Sequence, residues 1–137
     1  MPTIFSRIIA GEIAGTFVHR DDRCVVFMSI NPMARGHALV VPIEEHDHWV
    51  DMPDDLAAHL FAVSHRIGRA QKRAFDCDKV GVIIAGYEVP HTHIHLIPTV
   101  SMSQLSFANA AASVDRTDLE AAADAIRQAL SGGVPGA

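Results

Sequence analysis

Leu56, Leu60, Val63, Ile67, Ala70 and Ala74 recur every three or four residues. That spacing predicts a long amphipathic helix with one apolar stripe and one solvated face. Pro53 fits a first helical position, and Asp54 and Asp55 suit the positive end of the helix dipole. Strand-type segments flank the helix on both sides. Before it come Thr16–Arg20, Cys24–Ile30 and His37–Ile43, punctuated by Asp21-Asp22, Asn31-Pro32 and Gly36; after it come Lys79–Ala85 and His91–Thr99. Strands joined by turns around one long helix predict an α+β fold with a mainly antiparallel sheet.

The ends add shorter pieces. Phe5, Ile8, Ile9 and Ile13 are spaced for one or two helical turns. Thr117 and Glu120 have capping-box spacing for a C-terminal helix with an apolar face of Leu119, Ala123, Ile126 and Leu130, ended by Gly132-Gly133. Residues 101–115 carry no period and are expected to loop. With 137 residues and 49% hydrophobic content, the chain is read as one domain, 1–137, with its core in 1–100 and the loop and last helix in 101–137.

Charge narrows the function classes. Eleven basic residues stand against sixteen acidic ones, a net −5, which lacks the basic footprint of a nucleic-acid binder. Arg66, Arg69, Lys72 and Arg73 fall on the polar side of the long helix and read as a solvated face. No apolar run is long enough for a membrane span. Cys24 and Cys77 make no C-x-x-C pair and fit a reducing cytoplasm. Nine histidines are the unusual number. Histidine titrates near neutrality and serves as nucleophile, acid, base or ligand.

Three of the nine lie in His91-Thr92-His93-Ile94-His95-Leu96-Ile97-Pro98. In an extended strand, residues two apart share a face at ~6.7 Å, so the imidazoles line one side and Thr92, Ile94 and Leu96 the other. Aligned imidazoles suit nucleophilic attack on phosphorus, with neighbouring rings handling phosphate charge and protons. They also suit metal binding. Spacing leaves both open, although three alternate residues of one strand do not easily converge on one ion. His19, His59 and His65 read as surface or helix-face residues, and His46, His48 and Trp49 as packing or contact residues.

The segment His91–Ile97 resembles the H-φ-H-φ-H-φ-φ motif of the histidine triad superfamily, with Thr92 in an apolar slot. Ile4–Ile13, Phe27–Pro32 and Gly36–Pro42 resemble the Hint branch in matching order and spacing. The resemblance implies a homodimer of subunits with five antiparallel strands and two helices. It implies a nucleotide hydrolase or nucleotidyl transferase acting at the α-phosphorus of phosphoramidates or dinucleotide polyphosphates, without a cofactor. The alternative is a binding module of the same fold that holds a nucleotide without efficient turnover.

By that pattern His93 would be the nucleophile. His95 would bind phosphate oxygens and offer its backbone carbonyl to the His93 ring, with His91 and His37 as orienting partners. A base pocket would be built from Phe5, Ile8, Ile13, Phe27, Ile30 and Leu39, each also an ordinary core candidate. Ser29 stands where the branch usually has an aspartate for the ribose. Tyr87 stands where it has a phosphate-contacting glutamine. Glu88 falls beside the leaving group, as a general acid or as a solvent-facing carboxylate. Many bacterial relatives hold zinc through an N-terminal C-x-x-C and two histidines; here those cysteine positions are Thr3 and Ser6, so no structural zinc is expected.

Overall fold

The computed structural model describes residues 2–132. Five strands, β1 (Phe17–Arg20), β2 (Cys24–Met28), β3 (Ala38–Pro42), β4 (Lys79–Ile83) and β5 (Ile94–Thr99), form one sheet in the order β1-β2-β3-β5-β4. Every neighbouring pair is antiparallel. Three helices, α1 (Ile4–Ile9), α2 (Asp54–Ala74) and α3 (Arg116–Ser131), complete the α+β fold.

The two sheet faces have separate cores. On one, Val26, Met28, Val40, Ile94 and Leu96 pack against Leu56, Leu60, Val63 and Ile67 of α2 and Leu119 and Ile126 of α3. The four α2 side chains are almost wholly buried, and burial at ~1.5–3 kcal/mol each makes this stripe the main attachment of the helix. On the other face a smaller cluster, Phe5, Val25, Phe27, Leu39 and Val41, lies under α1. The register Leu39↔His95 brings the triad strand to this second face.

Several predicted boundaries move. Strand pairing begins at Ile94, not His91, because the backbone before it bonds elsewhere: Thr92 N–H donates to the His46 carbonyl at 2.7 Å and His91 N–H to that of Val89 at 2.8 Å. The Thr92 hydroxyl donates to the His46 carbonyl as well, at 2.7 Å, which explains a polar residue in an apolar slot. Pro53 caps α2 from outside. The Thr117–Glu120 capping box does not form: α3 starts two residues earlier with Asp115 at its cap, and Glu120 accepts from the Thr16 hydroxyl at 3.0 Å. The 101–115 segment holds two 3-10 turns, Met102–Gln104 and Phe107–Asn109.

Gly36 sets up the start of β3. Its φ of +92° lies in the left-handed region, and a Cβ there would stand 2.4 Å from the Phe75 ring. The buried Gln71 amide donates to the carbonyls of Gly36 (2.9 Å) and Leu96 (3.0 Å), tying α2 to the turn that leads into His37 and β3 and to β5, which carries His95.

Candidate active site

Hydrogen-bond directions in the histidine cluster follow from which partners can only donate or only accept. The Met33 backbone N–H can only donate, and it meets His37 Nδ1 at 3.0 Å. The His37 proton therefore sits on Nε2 and points to His95 Nδ1 at 2.9 Å. His95 is then left with its own proton on Nε2, facing Glu88 Oε1 at 3.3 Å. Both rings stay neutral at pH 7. Burial, followed by the neighbouring histidines, pushes His37 down to about 3, and burial with His93 pushes His95 down to about 4.

A second chain runs through His91. Its Nε2 faces the Pro42 carbonyl at 2.7 Å and must donate, so Nδ1 accepts from the Thr3 hydroxyl at 2.7 Å. Burial is the main reason its pKa is also lowered. The His91 carbonyl in turn accepts from His93 Nδ1 at 2.7 Å. This corrects the expectation that the His95 carbonyl orients His93. The chain bends just before β5, so the carbonyl two residues upstream reaches the ring.

With Nδ1 committed to donating, His93 presents Nε2 to Glu88 Oε1 at 2.5 Å. A carboxylate and a nitrogen lone pair would repel there, so one proton lies between them. Either His93 is an imidazolium facing a carboxylate, or a neutral His93 faces a carboxylic acid. Burial acts to raise Glu88, but hydrogen bonds from its backbone and from His93 and His95 outweigh it and hold the group below the usual carboxylate range. Glu88 thus turns inward, and its side chain keeps 43% exposure.

A cavity of about 330 Å³ opens beside these groups, near the lower end of small-molecule sites. Phe5, Ile8, Ile13, Phe27, Ile30 and Leu39 line it with Ser29, His37, Glu88, His93 and His95. Phe5, Phe27 and Leu39 are at once walls of the cavity and members of the smaller core. The Phe5 ring stands edge-on to His93 at 4.8 Å and to His91 at 5.8 Å. Ser29 Oγ accepts from Asn31 N–H at 3.2 Å. His91 lies behind the wall. Tyr87, 96% exposed, is not part of it.

Because it follows the triad strand directly, the 101–115 loop with the last helix is a candidate cover for the phosphate side of the site, but the sequence singles out none of its residues. Phe107 meets His95 edge-on at 5.2 Å, and Ala110, Arg116 and Leu119 also line the cavity. Asn31 holds the stretch in place by donating to the carbonyls of Ala111 (3.2 Å) and Ala112 (2.9 Å). Phe107, the one aromatic residue of an aperiodic segment, was the available signal. A separate groove of about 450 Å³ between α2 and β4, lined by Phe61, Val80 and Val82, holds none of the triad.

Thr3 and Ser6, at the C-x-x-C positions, do not form a metal-binding pair. Thr3 N–H and the Ser6 hydroxyl reach Glu45 Oε2 at 3.2 and 2.5 Å, and both His91 nitrogens are already engaged. Hydroxyls without thiolates do not fit the zinc chemistry of those relatives.

A HIT domain family model matches residues 10–102, more than half of the chain. The chain belongs to the HIT family. An uncharacterized HIT-like protein of Methanocaldococcus jannaschii is 37% identical over 99 residues, covering 69% of this chain and 77% of that one. The adenosine 5'-monophosphoramidase of Saccharomyces cerevisiae is 33% identical over 100 residues, covering 69% of this HIT protein and 61% of the yeast enzyme. Among solved structures, a HIT-like protein from Bartonella henselae described as involved in cell-cycle regulation superposes with a TM-score of 0.82 at 29% identity, covering 93% of this chain and 96% of that one. Among the described residues no helix is long and apolar enough to cross a membrane.

Proposed function

We propose that this HIT protein cleaves nucleotide phosphoramidates or dinucleotide polyphosphates at the α-phosphorus, through a nucleotidyl intermediate on His93. The observation that carries this reading is the commitment of His93 Nδ1 to the His91 carbonyl, which leaves Nε2 as the reactive nitrogen at the cavity wall. The yeast relative's name, a monophosphoramidase, supports the substrate class.

With Glu88 held below the usual carboxylate range the ion pair is the resting form, and the reactive microstate is the minor tautomer in which the shared proton has moved from His93 Nε2 to Glu88. The Nε2 lone pair attacks phosphorus, the bond to the leaving nitrogen or oxygen breaks, and Glu88 gives that atom its proton. Water then attacks the intermediate and passes a proton to Glu88. The P–N bond breaks, and the nucleoside monophosphate leaves with the starting protonation restored. His95 Nε2–H points to the same region and stabilises the phosphate oxygens. The apolar wall of Phe5, Ile8, Ile13, Phe27, Ile30 and Leu39 receives the base, and the Ser29 hydroxyl the ribose. The active form is a homodimer in the cytoplasm.

The second reading, a nucleotide-binding module, draws on the same Glu88 contact. A carboxylate resting on His93 Nε2 occupies the nucleophile and would repel a phosphate. Turnover of an adenosine phosphoramidate and a dinucleotide polyphosphate, with chelator present, separates the two. Catalysis predicts turnover that His93→Ala abolishes. No turnover, with nucleotide still raising the melting temperature, would leave binding alone; activity surviving in His93→Ala would end the covalent mechanism.

A further inference from the structure

The opposite side of the sheet carries a second convergence of polar groups. His19 on β1 pairs with Val26, and Cys24 opens β2, so both side chains face α2. The turn between them places Asp21 at the same spot. Its Oδ1 accepts from the N–H groups of Arg23 and Cys24, both at 2.8 Å, which fixes the carboxylate. Its Oδ2 then collects His19 Nε2 at 2.7 Å, His59 Nε2 of α2 at 2.9 Å and Cys24 Sγ at 3.5 Å. His19 and His59, which read as surface residues in the sequence, are brought together by a helix packed across a hairpin.

We propose that His19, Asp21, Cys24 and His59 form a site for a zinc-type divalent cation, independent of the triad. The donor set is two imidazoles, a carboxylate and a thiol, the mixture that suits tetrahedral zinc rather than magnesium or calcium. Tetrahedral ligands at ~2.0–2.3 Å from an ion stand ~3.3–3.5 Å apart. The S···O spacing already meets that figure, and the donor atoms of His19, Asp21 and Cys24 lie within 4.8 Å of one another; His59, held to Asp21 at 2.9 Å, must swing toward the other two to complete the set. Cys24 forms the buried floor, while the side chains of His19, Asp21 and His59 keep 17, 23 and 32% exposure and leave a way in. Binding displaces the Cys24 thiol proton, and each imidazole, which donates Nε2–H to Asp21 before binding, shifts that proton to Nδ1 to free the coordinating nitrogen. The thiolate and the Asp21 carboxylate then balance the ion's two charges, and the ion joins the β1–β2 hairpin to α2.

Titration of the reduced, full-length protein with cobalt(II), followed by zinc displacement, tests the site. The expected result is one equivalent of cobalt with tetrahedral visible bands and a near-ultraviolet thiolate-to-cobalt charge-transfer band. His59→Ala should weaken binding by at least ~100-fold, beyond the 10–100-fold cost of losing an outer-shell partner. Cys24→Ala should remove the charge-transfer band. Glu88→Gln, which disrupts the other cluster of three metal-capable donors among the described residues, Glu88, His93 and His95, should leave the band unchanged. Absence of a thiolate band at saturating cobalt overturns the proposal, as does a band that survives Cys24→Ala or is untouched by His59→Ala. Cobalt bound without a thiolate band and lost in Glu88→Gln would place the ion at the triad and equally overturn it.

Discussion

Three neutral, buried histidines, His37, His91 and His95, make this fold sensitive to mild acid, and His37 is the residue that isolates the effect. Its pKa falls from an ordinary 6.5 to about 3, and that of His95 to about 4. Both folded values lie below the unfolded one, so the unfolded chain binds more protons as pH drops through 6.5. The stability is complete above about 6.5 and is lost progressively toward pH 3–4. Between pH 8 and pH 5 His37 and His95 each give up about 2 kcal/mol, at 1.36 kcal/mol for each pH unit below 6.5. The carboxylates with lowered pKa values, Asp21, Glu45, Asp55 and Glu88, lose their contribution only below their unfolded values near 4, outside this window. His37→Gln keeps a donor for His95 and cannot titrate. Urea unfolding of wild type and variant at pH 8 and pH 5 should therefore show wild type losing about 2 kcal/mol more than the variant, whatever the variant's absolute stability. Parallel losses would refute the assignment of His37 as a neutral ring held by Met33 N–H.

Three further outcomes follow from contacts already described. Glu88→Gln should lower turnover of substrates with a poor amine leaving group by ~10²–10⁴-fold, yet change a substrate whose leaving group departs unprotonated by less than about tenfold; equal losses for both would remove Glu88 as the acid. Gly36→Ala adds a left-handed φ penalty and a clash with Phe75, and should cost ~2–4 kcal/mol in urea unfolding. Asn31→Ala frees the 101–115 stretch from two hydrogen bonds. Hydrogen exchange at Ala111 N–H, which donates to the Pro32 carbonyl, should accelerate while the melting temperature changes little.

What the sequence disclosed and what it withheld divide along one physical line. Periodic burial is written locally: the stripe Leu56–Ala74 and the alternation from His91 to Ile97 each repeat within a few residues, so the helix and the triad strand were legible. Proton placement is not local. Which nitrogen of His37 carries hydrogen depends on the backbone of Met33, and the orientation of His93 depends on a bend that moved the accepting carbonyl from His95 to His91. Glu88 reads equally as a solvent-facing residue until the turn before β5 aims it at Nε2. His19, Asp21 and His59 look unremarkable because the residue that completes the cluster comes from a helix 38 positions beyond Asp21. A motif can thus nominate the rings of a HIT site. The reactive nitrogen, and the carboxyl that shares its proton, are chosen by carbonyls and amides that no side-chain pattern records.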